Sequence, residues 1–562
     1  MDRTGSRITR ARGAFAPAII AWSAAAAPGV GQSVSPVDGK RISEVARDVQ
    51  GRFERTRRRH FPRGAWDSGS CHEHIGRFCL RHDGDEGWVP PPEPAEVVDA
   101  RTDLLAALDS LAALLPTDRW ITGQRVKYRV EAAEVAEALA IARSCPDAWP
   151  CASLEGFVLH WAGRYGEAGL AYDRALAAMP AESRCAWTDL EPLLDGPDRD
   201  HYRRLSCGSD DRRRFEDMFW HLSDPLWSVP GLERRSEHFT RRVWGTLQMD
   251  AASGYGLSWG SDLEEITVRY GWPAGWDVAW RRDPGLRTER AIRSHRPVGA
   301  RRYVADGIGG RGEGRLAWDL DRQHPRSYWA HPDGSVGLLE AQVAVFRRGD
   351  RALVVGAFDR PPTPCERPAS LILATRERVL TRSETAGGRV LTALEPPGEP
   401  AALAGLEVRC PDASTAWRSR TELDRASKAL SDLLLLAPGE GLPGTLDAAL
   451  SGALGSTRVR SGGAIVVFWE WYGTDEPLAT TLTLDRREAS FWRKALEWTG
   501  LARRGIDRAG LRWLDPGAEG GAGRAVRVEL PGLSPGEYRL SVQVQSAREG
   551  TVISTRDLVV ER

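Results

Sequence analysis

Gln342-Val343-Ala344-Val345-Phe346, then Arg347-Arg348-Gly349-Asp350, then Arg351-Ala352-Leu353-Val354-Val355, is the stretch that decides the fold. Two runs rich in β-branched and aromatic residues flank a Gly-containing turn. They predict a hairpin with a four-residue loop. From about Ser335 onward the apolar period is two. Leu371 to Ala374 and Leu406 to Val408 add strands, and Cys365 and Cys410 bracket a β domain over 335–415. A last unit covers 420–562, its strands beginning beyond Gly439. In it Ala464 to Tyr472 is rich in Val, Phe and Trp, and Leu478 to Leu484 alternates cleanly. Ala525 to Leu530 and Tyr538 to Val544 follow, with Leu533-Ser534-Pro535-Gly536-Glu537-Tyr538 as a turn into the penultimate strand. Many short strands with Gly/Pro turns predict β-sandwich modules.

Upstream the period changes to one near 3.6. Leu104, Leu108, Leu111 and Leu115 fall on one helix face, and Pro116 stops that helix. A second helical run spans about Val126 to Arg143, with Val130, Ala133, Ala138 and Ile141. Residues 31–95 are polar and Arg-rich with few periodic apolar positions, and close on the stiff linker Val89-Pro90-Pro91-Pro92-Glu93-Pro94. The expected fold class is α+β multidomain. A helical-repeat region over 96–210 leads to a mixed, aromatic-rich central domain over 211–334, and then to the C-terminal β-sandwich modules.

Composition bounds the function. The 562 residues carry 77 basic and 77 acidic side chains, so the formal net charge is zero. Nucleic-acid proteins draw their affinity from excess basic charge, so no nucleic-acid partner is expected. Only Lys40, Lys127, Lys428 and Lys494 are lysines. The Arg excess reads as codon bias in a GC-rich genome, and the Gly-Lys-Ser/Thr core of a phosphate loop is absent. Hydrophobics at 41% and charges at 27% are those of a folded protein. Beyond the N-terminus no apolar run reaches about 18 residues, so no transmembrane span is expected.

The N-terminus and the cysteines point to one compartment. Arg3, Arg7, Arg10 and Arg12 precede an apolar stretch from Ala14 to Val30, with Ala25-Ala26-Ala27 as a cleavage site. That order is the order of a signal peptide, taken as residues 1–30, with export to the periplasm or cell envelope. A disordered Ala-rich tail is the plainer alternative. No lipobox Cys follows. The eight Cys fall into neighbours: Cys71 and Cys79, Cys145 and Cys151, Cys185 and Cys207, Cys365 and Cys410. In an oxidising compartment they read as disulfides, although the sequence leaves the connectivity open. Cys71-His72-Glu73-His74 with Cys79 and His82 offers metal ligands, but lacks the paired C-x-x-C arms of a zinc ribbon. No metal and no cofactor is expected.

Two segments carry resemblances. Pro146 and Pro180 stand 34 residues apart and enclose Gly156, Gly163, Tyr165, Ala168, Tyr172 and Ala175. This spacing resembles a tetratricopeptide repeat, with a degenerate copy over about 115–147. In it Gly156 and Ala168 let paired helices approach closely. The family's concave face implies a protein or peptide partner, with His160, Trp161 and Arg164 as groove candidates; Trp161 reads slightly more readily as core. Cys151 and Cys185 are also 34 apart, so a bridge between repeats competes with the local pairing. The second segment has Phe219-Trp220, Asp224-Pro225, Arg241-Arg242, Ser258-Trp259-Gly260-Ser261-Asp262, Ile266 to Tyr270 and Gly271-Trp272-Pro273. It resembles the bacterial GWxTD proteins, with Ser258 in place of the motif's Gly and Ser261 in place of its Thr. The resemblance implies an envelope protein and names no reaction. Leu263 to Tyr270 reads as a strand, with Ile266, Val268 and Tyr270 on one face, and Gly271 to Gly275 as a turn. The L-x-P-G-x-Y turn before the penultimate strand resembles bacterial immunoglobulin-like modules.

Two motifs were weighed for chemistry. Gly256-Leu257-Ser258-Trp259-Gly260 matches G-x-S-x-G, but a nucleophile elbow needs a buried strand before it and a helix after it. The preceding Gln248 to Tyr255 is polar, and a strand is expected to follow. Gly307-Ile308-Gly309-Gly310-Arg311-Gly312 matches G-x-G-x-x-G without the helix that would hold a pyrophosphate. The expected function is a non-enzymatic exported envelope protein, a protein-binding or scaffold module with no catalytic residues. The alternative is a serine hydrolase using Ser258.

Overall fold

The computed structural model describes residues 35–60, 73–80, 92–254, 256–271, 275–278, 290–294, 307–308, 335–361, 368–410, 415–424, 429–473, 476–487, 508–515, 522–530 and 532–562. Helices fill the N-terminal part and sheets the C-terminal part, an α+β multidomain architecture.

The helices are α1 (Pro36–Arg59), α2 (Ala95–Leu114), α3 (Arg119–Glu131), α4 (Val135–Ser144), α5 (Ala148–Trp161), α6 (Tyr165–Ala178), α7 (Ala181–Trp187), α8 (Gly196–Tyr202), α9 (Asp210–Ser223), α10 (Glu233–Gln248) and α11 (Ser261–Tyr270). From α1 to α6 each helix packs on the next. The single helical run expected over 126–143 is broken after Glu131. Ala133 takes a left-handed φ of 61°, and Gly163, thirty residues on, takes 71°. Both turns close alike. Glu134 N donates to Arg129 O at 2.8 Å and Arg164 N to Leu159 O at 2.9 Å, while Ala133 N reaches Val130 O and Gly163 N reaches His160 O. This is the Schellman closure, which favours Gly at the left-handed residue. The turn-to-turn spacing of the two hairpins is thus 30 rather than 34 residues. The close approach expected between helices is present, with Gly156 directly against the Tyr172 ring.

Helix α1 lies within the segment expected to lack periodic structure. Its buried stripe is Ala46, Gln50, Phe53 and Glu54, only half of it apolar, which hides the helical period. The polar members are paired inside: Tyr128 Oη donates to Glu54 Oε1 at 2.6 Å and Gln50 Nε2 donates to Tyr128 Oη at 2.7 Å. The second departure is 263–270, a helix instead of a strand. Leu263, Ile266 and Tyr270 recur at helical spacing and bury against Ile75, Phe78 and Leu80. Those belong to the hairpin β1 (Glu73–Ile75) and β2 (Phe78–Leu80), which continues into β4 (Arg290–Ser294) and β3 (Gly275–Val278) as one sheet in the order β1-β2-β4-β3.

The C-terminal strands are β5 (Ser335–Leu338), β6 (Ala341–Arg348), β7 (Arg351–Phe358), β8 (Ala369–Ala374), β9 (Val379–Thr385), β10 (Val390–Leu394), β11 (Leu403–Arg409) and β12 (Thr415–Glu422). Then come β13 (Leu434–Leu436), helix α12 (Leu446–Leu450), β14 (Arg458–Arg460), β15 (Ala464–Trp471), β16 (Leu478–Arg486), β17 (Arg508–Asp515), β18 (Ala522–Glu529), β19 (Gly536–Ser546) and β20 (Gly550–Glu561). Sheet β10-β7-β6 faces sheet β5-β12-β11-β8-β9, with Val343, Val354, Leu371, Leu406 and Trp417 between them. Sheet β13-β15-β18 faces β14-β20-β19-β16-β17 across Val467, Trp469, Leu482, Leu540 and Val542. The two three-stranded sheets also pack on each other through Phe346, Val355, Leu434, Val466 and Phe468. That is why β15 reads as a continuous apolar run: both its faces are buried. The hairpin loop between β6 and β7 is two residues, Gly349-Asp350, shorter than the expected four because Arg347 and Arg348 still pair with Ala352 and Arg351. Gly349 at φ 66° suits a two-residue hairpin loop.

Candidate functional site

The groove candidates do not line an open groove. Helix α10 packs across α3, α5 and α6 and fills that face with its own side chains. His160 is buried, its Nδ1 2.8 Å from Ser236 Oγ of α10. Thr240 of α10 meets Tyr172 Oη at 2.7 Å. Trp161 is half-buried against the same core, near Phe157. Arg164 points outward and pairs with Glu167 at 2.5 Å. The three residues therefore do not act together, and the partner-binding role expected of His160 is taken by an internal contact.

Two cysteine pairs form disulfides, Cys145–Cys151 and Cys185–Cys207, with Cα separations of 5.6 and 5.9 Å. The local pairing wins over a Cys151–Cys185 bridge. The first clips α4 to the first turn of α5, and the second ties α7 to the loop before α9. Cys79 is disulfide-bonded, while Cys71 lies outside the described residues. Cys410 is a buried free thiol, which departs from the expected bridge to Cys365; Cys365 also lies outside the described residues. Among the described residues no three His, Cys, Asp or Glu side chains come together as a metal site. Among them too, no helix is long and apolar enough to cross a membrane.

Ser258 sits in the connection between α10 and α11. A helix follows it, contrary to expectation, but a helix and loop precede it where a nucleophile elbow needs a strand. Its carbonyl accepts Arg77 Nη2 at 3.0 Å, and the same guanidinium binds Asp262 at 2.6 and 2.8 Å. The Arg77 hydrogen bonds hold the Asp262 carboxyl below the ordinary carboxylate range. The aspartate of the GWxTD-like motif thus fastens the β1–β2 hairpin to α11. At the second glycine motif, Gly307 N and Ile308 N donate to the Asp198 carboxylate of α8 at 3.1 and 3.2 Å. Those two amides serve an internal carboxylate; the other glycines of the motif lie outside the described residues.

The densest polar constellation is one that sequence reading passed over. It joins the connection between α9 and α10 to the sheet containing β11 and β12. The Glu407 carboxylate accepts Trp227 N and Ser228 N at 2.8 Å each. Arg418 Nη1 donates to Asp224 O and Pro225 O at 2.8 and 3.0 Å, and Arg420 donates to Leu222 O and Asp224 O at 2.9 and 2.7 Å. Trp227 Nε1 donates to His221 O at 2.8 Å. Its ring lies parallel to the His221 imidazole at 4.7 Å, and the Arg420 guanidinium lies 3.7 Å from it. Gly405 makes this possible: a Cβ there would stand 3.0 Å from the indole. Burial, then the charge of Arg420, pushes His221 down to about 3, so the imidazole is neutral. Burial pushes Asp224 up to about 8, against the pull of Arg420 and the α10 amides. Glu407 was missed because it stands inside a strand read for its apolar residues, where a charge at a buried position was the available signal, and Arg418 because its strand was not read from the sequence.

A cleft of about 540 Å³ lies between the two sandwiches, lined in part by Arg347, Arg348, Thr445, Asp447, Glu470 and Tyr472. Arg348 and Glu470 are engaged with each other. Arg348 binds Glu470 at 2.7 and 3.0 Å, Tyr472 Oη donates to Glu470 at 2.6 Å, and Arg347 N donates to Tyr472 Oη at 2.7 Å. These contacts tie the β6–β7 hairpin to β15.

No family model matches the chain. No curated protein matches it either. Among solved structures it is similar to the PmoD soluble domain from Methylocystis sp. at TM-score 0.15 and 10% identity, covering 24% of this chain and 94% of that one. Escherichia coli alpha-2-macroglobulin activated by porcine elastase matches at TM-score 0.14 and 12% identity, over 42% of this chain and 24% of that one. Red sea bream transglutaminase matches at TM-score 0.14 and 11% identity, over 55% and 43%. None of these likenesses bears on what the chain does.

Proposed function

We propose that this is a non-enzymatic exported protein of the bacterial envelope that works as a scaffold, presenting its helical array and β modules as one body. The observation that carries the reading is the Glu407 clamp on Trp227 and Ser228. Among the described residues, Asp224, Trp227, Arg241 and Asp262 of the central segment are engaged in joining elements. Paired charges buried at a joint favour one geometry over others, which suits a spacer or platform. The Cys145–Cys151 and Cys185–Cys207 bridges support an oxidising compartment, and the N-terminal apolar stretch supports export to the periplasm or envelope. The helical pairs support a tetratricopeptide-like reading. A protein or peptide partner would meet the outer surface of the array, where Arg164 lies, because α10 occupies the inner face.

The test is direct. Protein from its native host should begin near residue 28 and leave few alkylatable thiols, and a fluorophosphonate probe should not label it. Labelling that disappears in Ser258→Ala would replace this reading with the serine hydrolase.

A further inference from the structure

Helix α1 presents a surface that its own packing does not explain. Ala46, Gln50, Phe53 and Arg57 form the stripe facing α2 and α3. Arg41, Val45, Asp48, Arg52, Arg55 and Arg59 recur at the same spacing two residues out of step. Two residues are about 200° of helix, so the second stripe points straight away from the protein. Arg52, Arg55 and Arg59 of that stripe are exposed, and C-terminal to Asp48 no exposed carboxylate accompanies them on this helix; Arg58 lies off the stripe, against Gly256.

Elsewhere the chain neutralises such runs. On α9, Arg212, Arg213 and Arg214 pair with Glu216, Asp210 and Asp211. On α1 the exposed acids Asp38, Glu44 and Asp48 all lie in the N-terminal half, and the one acid of the C-terminal half, Glu54, faces inward to Arg57 and Lys127. Arg57, Arg58 and Arg59 in the last turn also complement the helix dipole, but Arg52 and Arg55 lie outside that turn. This helix is the first described element of the chain.

We propose that the outward stripe of α1 is a docking surface for anionic phospholipid headgroups, laying the helical array against a membrane. Guanidinium groups suit phosphate by geometry as well as charge. The exposed Val37 and Val45 on the same helix give it an apolar edge toward the interface. This surface is independent of the export reading and is tested on purified protein.

The full chain is sedimented with phosphatidylcholine vesicles, with and without phosphatidylglycerol. The apolar N-terminal segment contributes to both, so the phosphatidylglycerol-dependent gain isolates the stripe. We expect a gain that is lost at high salt. It should fall by about two orders of magnitude in Arg52→Gln/Arg55→Gln/Arg59→Gln, since each charge near an anionic surface accounts for about fivefold. Arg52→Gln/Arg55→Gln should be intermediate. Arg213→Gln/Arg214→Gln should bind as wild type does. No gain with phosphatidylglycerol, or a gain that survives the threefold substitution with an unchanged melting curve, would overturn the proposal.

Discussion

The carboxylate of Glu407 on β11 accepts the backbone N–H of Trp227 at 2.8 Å, across 180 residues of chain. Its other oxygen accepts Ser228 N, and Arg420 lies 3.7 Å away. A strand of the first sandwich thereby satisfies two amides of the helical region's last long connection. Buried amides left without acceptors are costly, so the joint is a requirement of both parts.

Glu407→Gln replaces one accepting oxygen by a donor facing a donor and removes the charge opposite Arg420. The expected loss is about 3–5 kcal/mol, as for a buried pair with one partner removed. Urea denaturation followed by tryptophan fluorescence measures it. A loss below about 1 kcal/mol would show that the joint is peripheral to stability.

The two hairpin turns give a reciprocal pair. Ala133 carries a left-handed φ of 61° that costs an L-residue about 1 kcal/mol. Ala133→Gly should therefore stabilise by roughly 0.5–1 kcal/mol, and Gly163→Ala should destabilise by about 1 kcal/mol or more. Thermal melts of both variants check it; the same sign for both would refute the equivalence of the turns.

Acid acts through His221 and His238, both buried neutral with lowered pKa, His221 at about 3. The unfolded chain takes up these protons near the ordinary histidine value of about 6.5. Stability is thus fully present above about pH 6.5 and declines as pH falls toward 3. His221→Phe, which retains a ring beside Trp227, should flatten part of that decline. Asp224, raised to about 8, acts in the opposite sense. It contributes stability at low pH that is lost as pH rises from about 4, its unfolded value, to about 8. Asp224→Asn should remove this alkaline loss. Denaturation midpoints across pH 4 to 9 read both effects.

Much of this architecture was legible because its periods were clean. Leu104, Leu108 and Leu111 marked α2, and Leu478 to Leu484 marked β16. The failures have separate causes. Helix α1 buries Gln50 and Glu54 in place of apolar side chains, so its period vanished. In 263–270 the alternation of Ile266, Val268 and Tyr270 mimicked a strand, while the true face was Leu263, Ile266 and Tyr270. The groove residues failed for another reason. Periodicity placed His160 on the array's face, but α10 returning from 76 residues downstream to cover it leaves no local trace. The joint was partly visible, since Asp224-Pro225 and Arg241 stood out, yet their partners Arg418, Arg420 and Val268 belong to other elements.

The central claim is that the segment around Trp227 makes the helical array and the first sandwich a single cooperative body. Native-state hydrogen exchange in rising urea tests it residue by residue. The amides of α5, α6 and α10 and those of β8 and β11 should lose protection at one common urea concentration in the full-length protein, and should separate in Glu407→Gln. Helical amides exchanging freely in the wild-type chain while β8 and β11 remain protected would contradict the account.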